Sequence, residues 1–536
     1  MASPAPKIQQ EVQEIPLQMV GGNQFGRYSK ISLEETYNFI ISDGFLVPYA
    51  GYAKVLTENP NQPGRGIYTS SRENIIIAVW GSEVFSIDKY LNASFIGNLT
   101  TNTGDVYISE NNGFQIVITD GQHLYVYNYH NLTTPLLLQS GVNFMIGTFP
   151  INNPGYISFQ NGRFLVADTS TTLWYLSGFN DGTVWGVGSN QVGTLQTKPD
   201  LCQACVPVPG AGNNLLVFGK TVIELWVDVG AALFPYQRNS SFNIDYGCLN
   251  PSSIAALDNY VVWLAANEQS GATLMVFSGN KVQSITTDGM DFKLADLSNP
   301  SNCTGFLFRQ DGHLLYQFTF LDDNLSYVWD FESQKFFTVT DEHLNYHIAR
   351  NVVFFNNQYY FVSLKGGNLY QFGTQFTDFV YSDNDIVAIP RIRICPPIRL
   401  PSQRMFIVKS LGFTLENGQP NTIAIQNFPL NSELLITQTG NFIITQNGNY
   451  LVTQNYDPNV VPNTYTQTSE AIFLSVSRDG GETFGSSEQQ SMNPVGKRKS
   501  RVIFQRLGQA NDFTPQIRFY GFGRFVVTDG VVEVYQ

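Results

Sequence analysis

One unit recurs along most of the sequence: two short aromatic-rich strands joined by a Gly/Asn/Asp turn. The second strand of each unit is centred near Phe85, Tyr125, Trp174, Leu225, Val276, Val328 and Tyr370, so the spacings are 40, 49, 51, 51, 52 and 42 residues. In the first unit Ile75-Ile-Ile-Ala-Val-Trp80 precedes Gly81-Ser82 and then Val84-Phe-Ser-Ile87. In the last, Tyr359-Tyr-Phe-Val362 precedes Leu369-Tyr-Gln-Phe372. Tight polar turns between β-rich runs are the strongest short-range hairpin signal. A strand-only repeat of about 40–50 residues is the pattern of a β-propeller, one blade per repeat. Seven units can be counted, and six blades remain if one unit only closes the ring.

At 536 residues the chain exceeds what one core of roughly 250–300 residues holds, so a second domain is expected. Beyond about Phe376 the repeat stops. Strands resume at 406–415 and from Glu470 onward, which suggests a β-sandwich. The sequence therefore predicts an all-β protein, a propeller of six or seven blades followed by a sandwich-like domain. The boundaries are an extended arm at 1–44, the propeller at 45–376, the sandwich at 377–426 and 466–536, and an insertion at 427–465. Within the arm, Ser32 with Glu35 three positions on resembles a capping box and suggests a brief helix over 32–40. Such an arm packs on a neighbouring subunit or on its own chain.

The insertion has a period of eight: Leu435-Ile-Thr-Gln-Thr-Gly-Asn441, Ile443-Ile-Thr-Gln-Asn-Gly-Asn449 and Leu451-Val-Thr-Gln-Asn455. Thr437, Thr445 and Thr453 are in phase, as are Gln438, Gln446 and Gln454. This pattern fits an inserted stack of short β-strands. Uncharged strands of this kind aggregate unless their edges are paired, so these six residues are candidates for assembly between chains.

Charge narrows the function. Charged residues make up 14% of the chain, and 30 basic against 43 acidic residues leave a net charge of −13. Proteins that grip nucleic acid by its phosphates carry the opposite excess. The five cysteines are an odd number in a long chain, and Cys202-Gln-Ala-Cys205 has no second CxxC to complete a zinc site, so core thiols are expected. No run reaches the roughly 18 apolar residues of a membrane span, and residues 1–14 lack a signal peptide's apolar centre. Synthesis in the cytoplasm without export by that route follows as an expectation.

No constellation of catalytic residues emerges. His343 and His347 have metallopeptidase spacing, but Leu344 stands where the Glu is needed, so no metal is expected. P-loop, GxSxG and dinucleotide fingerprints are missing, and no cofactor is expected. Ser477-Arg-Asp-Gly-Gly-Glu-Thr-Phe484 matches the Asp-box pattern S-x-D-x-G-x-x-[WF], with Ser477, Asp479, Gly481 and Phe484 as a turn-stabilising set. Arg391, Arg393, Arg399 and Arg404 alternate with apolar residues, which reads as a strand with one solvated face or a phosphate-binding stripe. Lys497, Arg498, Lys499, Arg501 and Arg506 form the densest basic cluster and are candidates for subunit or partner contacts.

Ordered short motifs run almost the full length: Ile8-Gln-Gln10, Tyr37-Asn-Phe39, Gly51-Tyr-Ala-Lys54, Gly64-Arg-Gly66, Asn161-Gly-Arg-Phe164, Phe218-Gly-Lys-Thr-Val-Ile-Glu224, Phe473-Leu-Ser475 and Arg506-Leu-Gly508. In this order they resemble the tail hub, or packaged DNA stabilisation, family of short-tailed phages. The insertion at 435–455 departs from that pattern. The resemblance implies a non-enzymatic virion protein, assembled in the host cytoplasm, forming a homo-hexameric ring below the portal. The ring would contact the head-to-tail adaptor protein, a tail needle or plug, and fibres or spikes. It would extend the DNA channel, help retain packaged DNA and let double-stranded DNA pass without sequence-specific binding. The alternative is a propeller that binds glycan or cleaves it as a sialidase does.

Overall fold

The computed structural model describes residues 12–26, 33–70, 72–129, 151–185, 191–232, 234–269, 271–417, 471–492, 499–521 and 524–535. Seven blades ring one axis, spanning 64–98, 107–128, 154–194, 202–244, 247–284, 303–338 and 349–373. Adjacent strands pair antiparallel through tight turns. Asn161-Gly162, Asp311-Gly312 and Asn356-Asn357 each place two successive residues at positive φ, the twist that returns a strand on its neighbour.

The blade count follows from the packing. In Ile75–Trp80 alternate side chains point to opposite faces of the strand: Ile76, Ala78 and Trp80 join the core shared with blade 7, and Ile77 and Val79 the core shared with blade 2. Similar apolar clusters fill every boundary between neighbouring blades, seven in all. Burial on both faces explains why the middle strands read as unbroken apolar runs. The ring closes through Gly51–Asn59, which pairs antiparallel with Gly367–Gly373 as the fourth strand of blade 7.

The sandwich encloses an eighth cluster, including Leu17, Phe39, Leu46, Phe413, Ile472 and Val532. Its first sheet orders Phe39–Ser42, Phe45–Pro48, Phe525–Tyr535, Phe406–Asn417 and Lys499–Ala510, with Val12–Leu17 also paired to Phe525–Tyr535. The described part of the arm thus packs on its own chain. The second sheet is continuous with blade 6. From the outer blade strand Lys335–Thr338 it passes through Glu35–Tyr37, Arg391–Ile394, Thr514–Tyr520 and Ala471–Ser477 to Glu488–Ser491, giving nine strands in one sheet.

Two expectations are corrected. Residues 35–37 and 39–42 are strands, not a helix, and Ser32 lies outside the described residues. Pairing of Glu35–Tyr37 with strands on both sides outweighs a local capping signal. The Arg-Ile-Arg-Ile strand has no solvated face: Arg391 and Arg393 are 1% and 0% exposed, and Ile392 and Ile394 are also buried. Alternation distinguishes two faces of a strand but does not say what covers each. Here the arm covers the Arg393 side chain and the carboxylate of Glu34 neutralises it.

Candidate functional site: the assembly surfaces

Residues capable of chemistry are dispersed and engaged in structure. His347 is fully buried among Tyr49, Tyr52, Phe361, Phe372 and Phe379, and burial pushes its imidazole down to about 3, so it is neutral at physiological pH. His343, four residues earlier, is exposed. All five cysteines are buried free thiols, and burial raises the Cys248 thiol to about 12. Arg65 spends its guanidinium on the Gly81, Thr101, Thr103 and Gly104 carbonyls and the Thr101 hydroxyl, fixing the crossover from blade 1 to blade 2. Arg391 donates to the carbonyls of Thr377 and Gly521, and burial lowers it to about 10. Among the described residues no group of three or more His, Cys, Asp or Glu side chains could hold a metal ion.

Side chains from opposite blades meet inside the ring. Tyr107 of blade 2 reaches across to the hydroxyl of Ser252, beside blade 5, at 3.1 Å, and its ring packs on Tyr156 of blade 3 at 5.2 Å. Arg350 of blade 7 pairs with Asp105 at the entry to blade 2. The Tyr107–Ser252 and Arg350–Asp105 contacts link blades that are not neighbours in the ring.

In the sandwich the Asp-box turn folds on itself. The Asp479 carboxylate accepts the Ser477 hydroxyl at 2.5 Å, the Glu482 and Thr483 amides at 3.0 Å and the Thr483 hydroxyl at 2.5 Å. Those hydrogen bonds, Ser477 first, hold its carboxyl well below the ordinary carboxylate range. Gly481 sits at φ +95°, and a Cβ there would lie 2.4 Å from Leu33 Cδ2. Phe484 is half-buried beside the turn.

Arg478, an unspecified position of the Asp-box pattern, connects this turn to the basic cluster. Its guanidinium donates to the carbonyls of Leu507 at 2.7 Å and Gln509 at 3.0 Å. Leu507 lies within a β-bulge of Lys499–Ala510 and Gln509 just beyond it, and Arg506 in the bulge is exposed at φ +61°. The turn and the Arg506 end of the cluster are therefore one unit. Only after folding could Arg478 be recognised as the link, since no local pattern pairs residues 29 and 31 apart. Lys499, Arg501 and Arg506 are all exposed on this strand, which ends its sheet. Lys497 and Arg498 lie outside the described residues, as do Thr437, Gln438, Thr445, Gln446, Thr453 and Gln454 of the insertion. Of the remaining arginines in the earlier stripe, Arg399 pairs with Asp512 at 2.5 Å and Arg404 is exposed.

At the junction between the two parts, Arg393 donates to Glu34 Oε1 at 2.5 Å, Thr36 Oγ1 at 2.8 Å and the Gln18 carbonyl at 3.1 Å. The Asn38 side-chain amide donates to Thr340 and to the Pro390 carbonyl, each at 2.9 Å. Arg524 of the sandwich pairs with Asp311 of blade 6. Propeller and sandwich thus share a sheet and a peripheral ion pair, and a buried ion pair ties the arm to the sandwich.

A family model described as bacteriophage P22 Gp10, beta-propeller, matches residues 32–377, and one described as bacteriophage P22 Gp10, beta-sandwich, matches residues 447–535. No curated protein matches the chain. Similar solved structures include a streptogramin B lyase, at TM-score 0.39 and 11% identity over 60% of this chain and 97% of that one. The computationally designed Ika8 protein matches at TM-score 0.37 and 12% identity, covering 60% and 100%. Virginiamycin B lyase from Staphylococcus aureus matches at TM-score 0.35 and 10% identity, covering 68% and 99%.

Proposed function

The chain belongs to the bacteriophage P22 Gp10 family of tail hub and stabilisation proteins, and on that premise we propose that six copies form a ring below the portal and adaptor. The ring extends the DNA channel, helps retain the packaged genome and anchors the tail needle or plug and the fibres or spikes. Assembly takes place in the host cytoplasm before the particle is released. The observation that carries this reading is the pair of family matches, propeller then sandwich, in chain order along most of the sequence.

Three physical features support it. A propeller whose axis is crossed by Tyr107 and Ser252 acts as a wall, so DNA would run through the ring of copies and not through a propeller. A sheet running from blade 6 into the sandwich joins the two parts of each copy in one continuous β-structure, as a ring wall requires. A net charge of −13 disfavours adhesion to passing phosphates.

The test is electron microscopy of the purified chain with tail-less, DNA-filled heads. Sixfold rings at the portal vertex that keep the DNA inside are the expected result. Chains that ignore the heads, or rings that dock elsewhere, refute the proposal.

A further inference from the structure

The first sandwich sheet carries charges in a row. Glu14 of the edge strand Val12–Leu17 lies opposite Glu533, and Glu533 lies opposite Ser410 on the next strand. Beside Ser410, Lys409 holds Glu533 at 2.8 Å, and that contact raises the lysine and lowers the glutamate from their ordinary ranges. Ser410 in turn pairs with Gln505, next to Arg506 on the opposite edge strand Lys499–Ala510. One line across the sheet therefore reads acid, acid, base, base.

Further along, that side of the sheet is closed: Leu46 of Phe45–Pro48 pairs with Val527, Phe39–Ser42 lies beyond it, and Asp529 accepts the Val20 amide at 2.8 Å, so the edge is offered at the Glu14 end. Within one chain the edge charges are separated by three strand spacings, about 14 Å, so Arg506 cannot reach its own Glu14. Neither Glu14 nor Arg506 has an ion-pair partner among the described residues.

We propose that these edges meet between copies: the Arg506 end of Lys499–Ala510 of one chain lies beside Val12–Leu17 of the next, with Arg506 against Glu14. The directions agree. Three antiparallel pairings separate the two edges, so a copy shifted sideways across its own sheet presents Val12–Leu17 antiparallel to Lys499–Ala510, with Arg506 level with Glu14. Such a contact is heterologous, each copy giving one edge and receiving the other, as a cyclic ring requires. Pro16 leaves that edge one amide short, so charge pairing carries much of the selectivity. The bulge clamped by Arg478 positions Arg506 for this contact. The inference deepens the ring reading and rests on it.

The test uses the full chain as wild type, E14K, R506E and the double swap E14K/R506E. Association is measured by analytical ultracentrifugation and by assembly on DNA-filled heads. Each single reversal sets like charges face to face and is expected to weaken association about tenfold or more, the loss shrinking at high salt. The swap restores the pair with signs exchanged and is expected to return association to within about threefold of wild type. Single reversals without effect, or a swap as weak as the singles combined, overturn the inference. So does a wild-type chain that assembles neither in solution nor on heads. Head docking that is indifferent to all three variants removes this interface and leaves the ring reading standing. Swap-dependent association by chains that ignore heads does the reverse.

Discussion

Replacing Arg393 by Met should loosen the sandwich and the propeller together. Arg393 is 0% exposed, and its guanidinium satisfies Glu34, itself 8% exposed, along with Thr36 and the Gln18 carbonyl. Met keeps most of the stem's volume and removes the charge. The Glu34 carboxylate is then buried without its counter-ion, and breaking a buried pair from one side costs about 3–5 kcal/mol. That is a large part of the roughly 5–15 kcal/mol that holds a typical domain folded. Removing both charges, as in E34M/R393M, should cost far less than the single change, because no charge is stranded.

The placement of tryptophan makes the coupling measurable. All six Trp residues (80, 174, 185, 226, 263 and 329) lie in the blades, so Trp fluorescence reports the propeller alone, while far-ultraviolet circular dichroism reports both parts. Arg393 sits in the sandwich stretch of the nine-stranded sheet, two strands from blade 6. If that shared sheet couples the parts, R393M lowers the denaturant midpoint of both signals. A dichroism midpoint that falls while the fluorescence midpoint stays would show independent unfolding and refute the reasoning. So would an E34M/R393M variant no more stable than R393M.

Other consequences are more local. Asp479→Ala should speed hydrogen exchange at residues 480–483 and at 506–509, the segment held by Arg478, leaving the Trp transition in place; protection surviving at both segments would contradict the link. Because Asp479's folded carboxyl sits below its ordinary 3.8, its contribution is complete above that pH and is lost only as pH falls through the lower folded value. His347 works in the opposite sense to a salt-bridged histidine. The unfolded chain takes up its proton near pH 6.5 and the folded chain only near about 3, so propeller stability should fall as the solution is acidified between those values. The loss is at most roughly 4–5 kcal/mol. His347→Asn, which keeps an acceptor for the Ala349 amide, should flatten that slope in fluorescence-monitored unfolding; an unchanged slope would assign acid sensitivity elsewhere.

What the sequence discloses is set by how local the deciding contacts are. Hairpins such as Ile75–Ile87 are legible because both strands and their turn lie within about a dozen residues. The Asp box is legible because Asp479 bonds only its immediate neighbours. The ambiguity between six and seven blades has a structural cause: the last blade borrows Gly51–Asn59 from the far end of the chain, so its fourth strand is absent from the repeat that announces it. The Arg-Ile-Arg-Ile strand misleads for the same reason. Its amphipathic alternation is real, but the carboxylate that permits burial of Arg393 comes from Glu34, 359 residues earlier. Arg506 stands out as part of a basic cluster, yet the counterpart proposed for it, Glu14, emerges only after three strand pairings place both residues on one line. In this chain the blades, apart from the borrowed strand of the last, are written locally. The features that would join propeller to sandwich and copy to copy are written by residues distant in sequence and adjacent in the sheet, and those are the positions where substitution should separate assembly from folding.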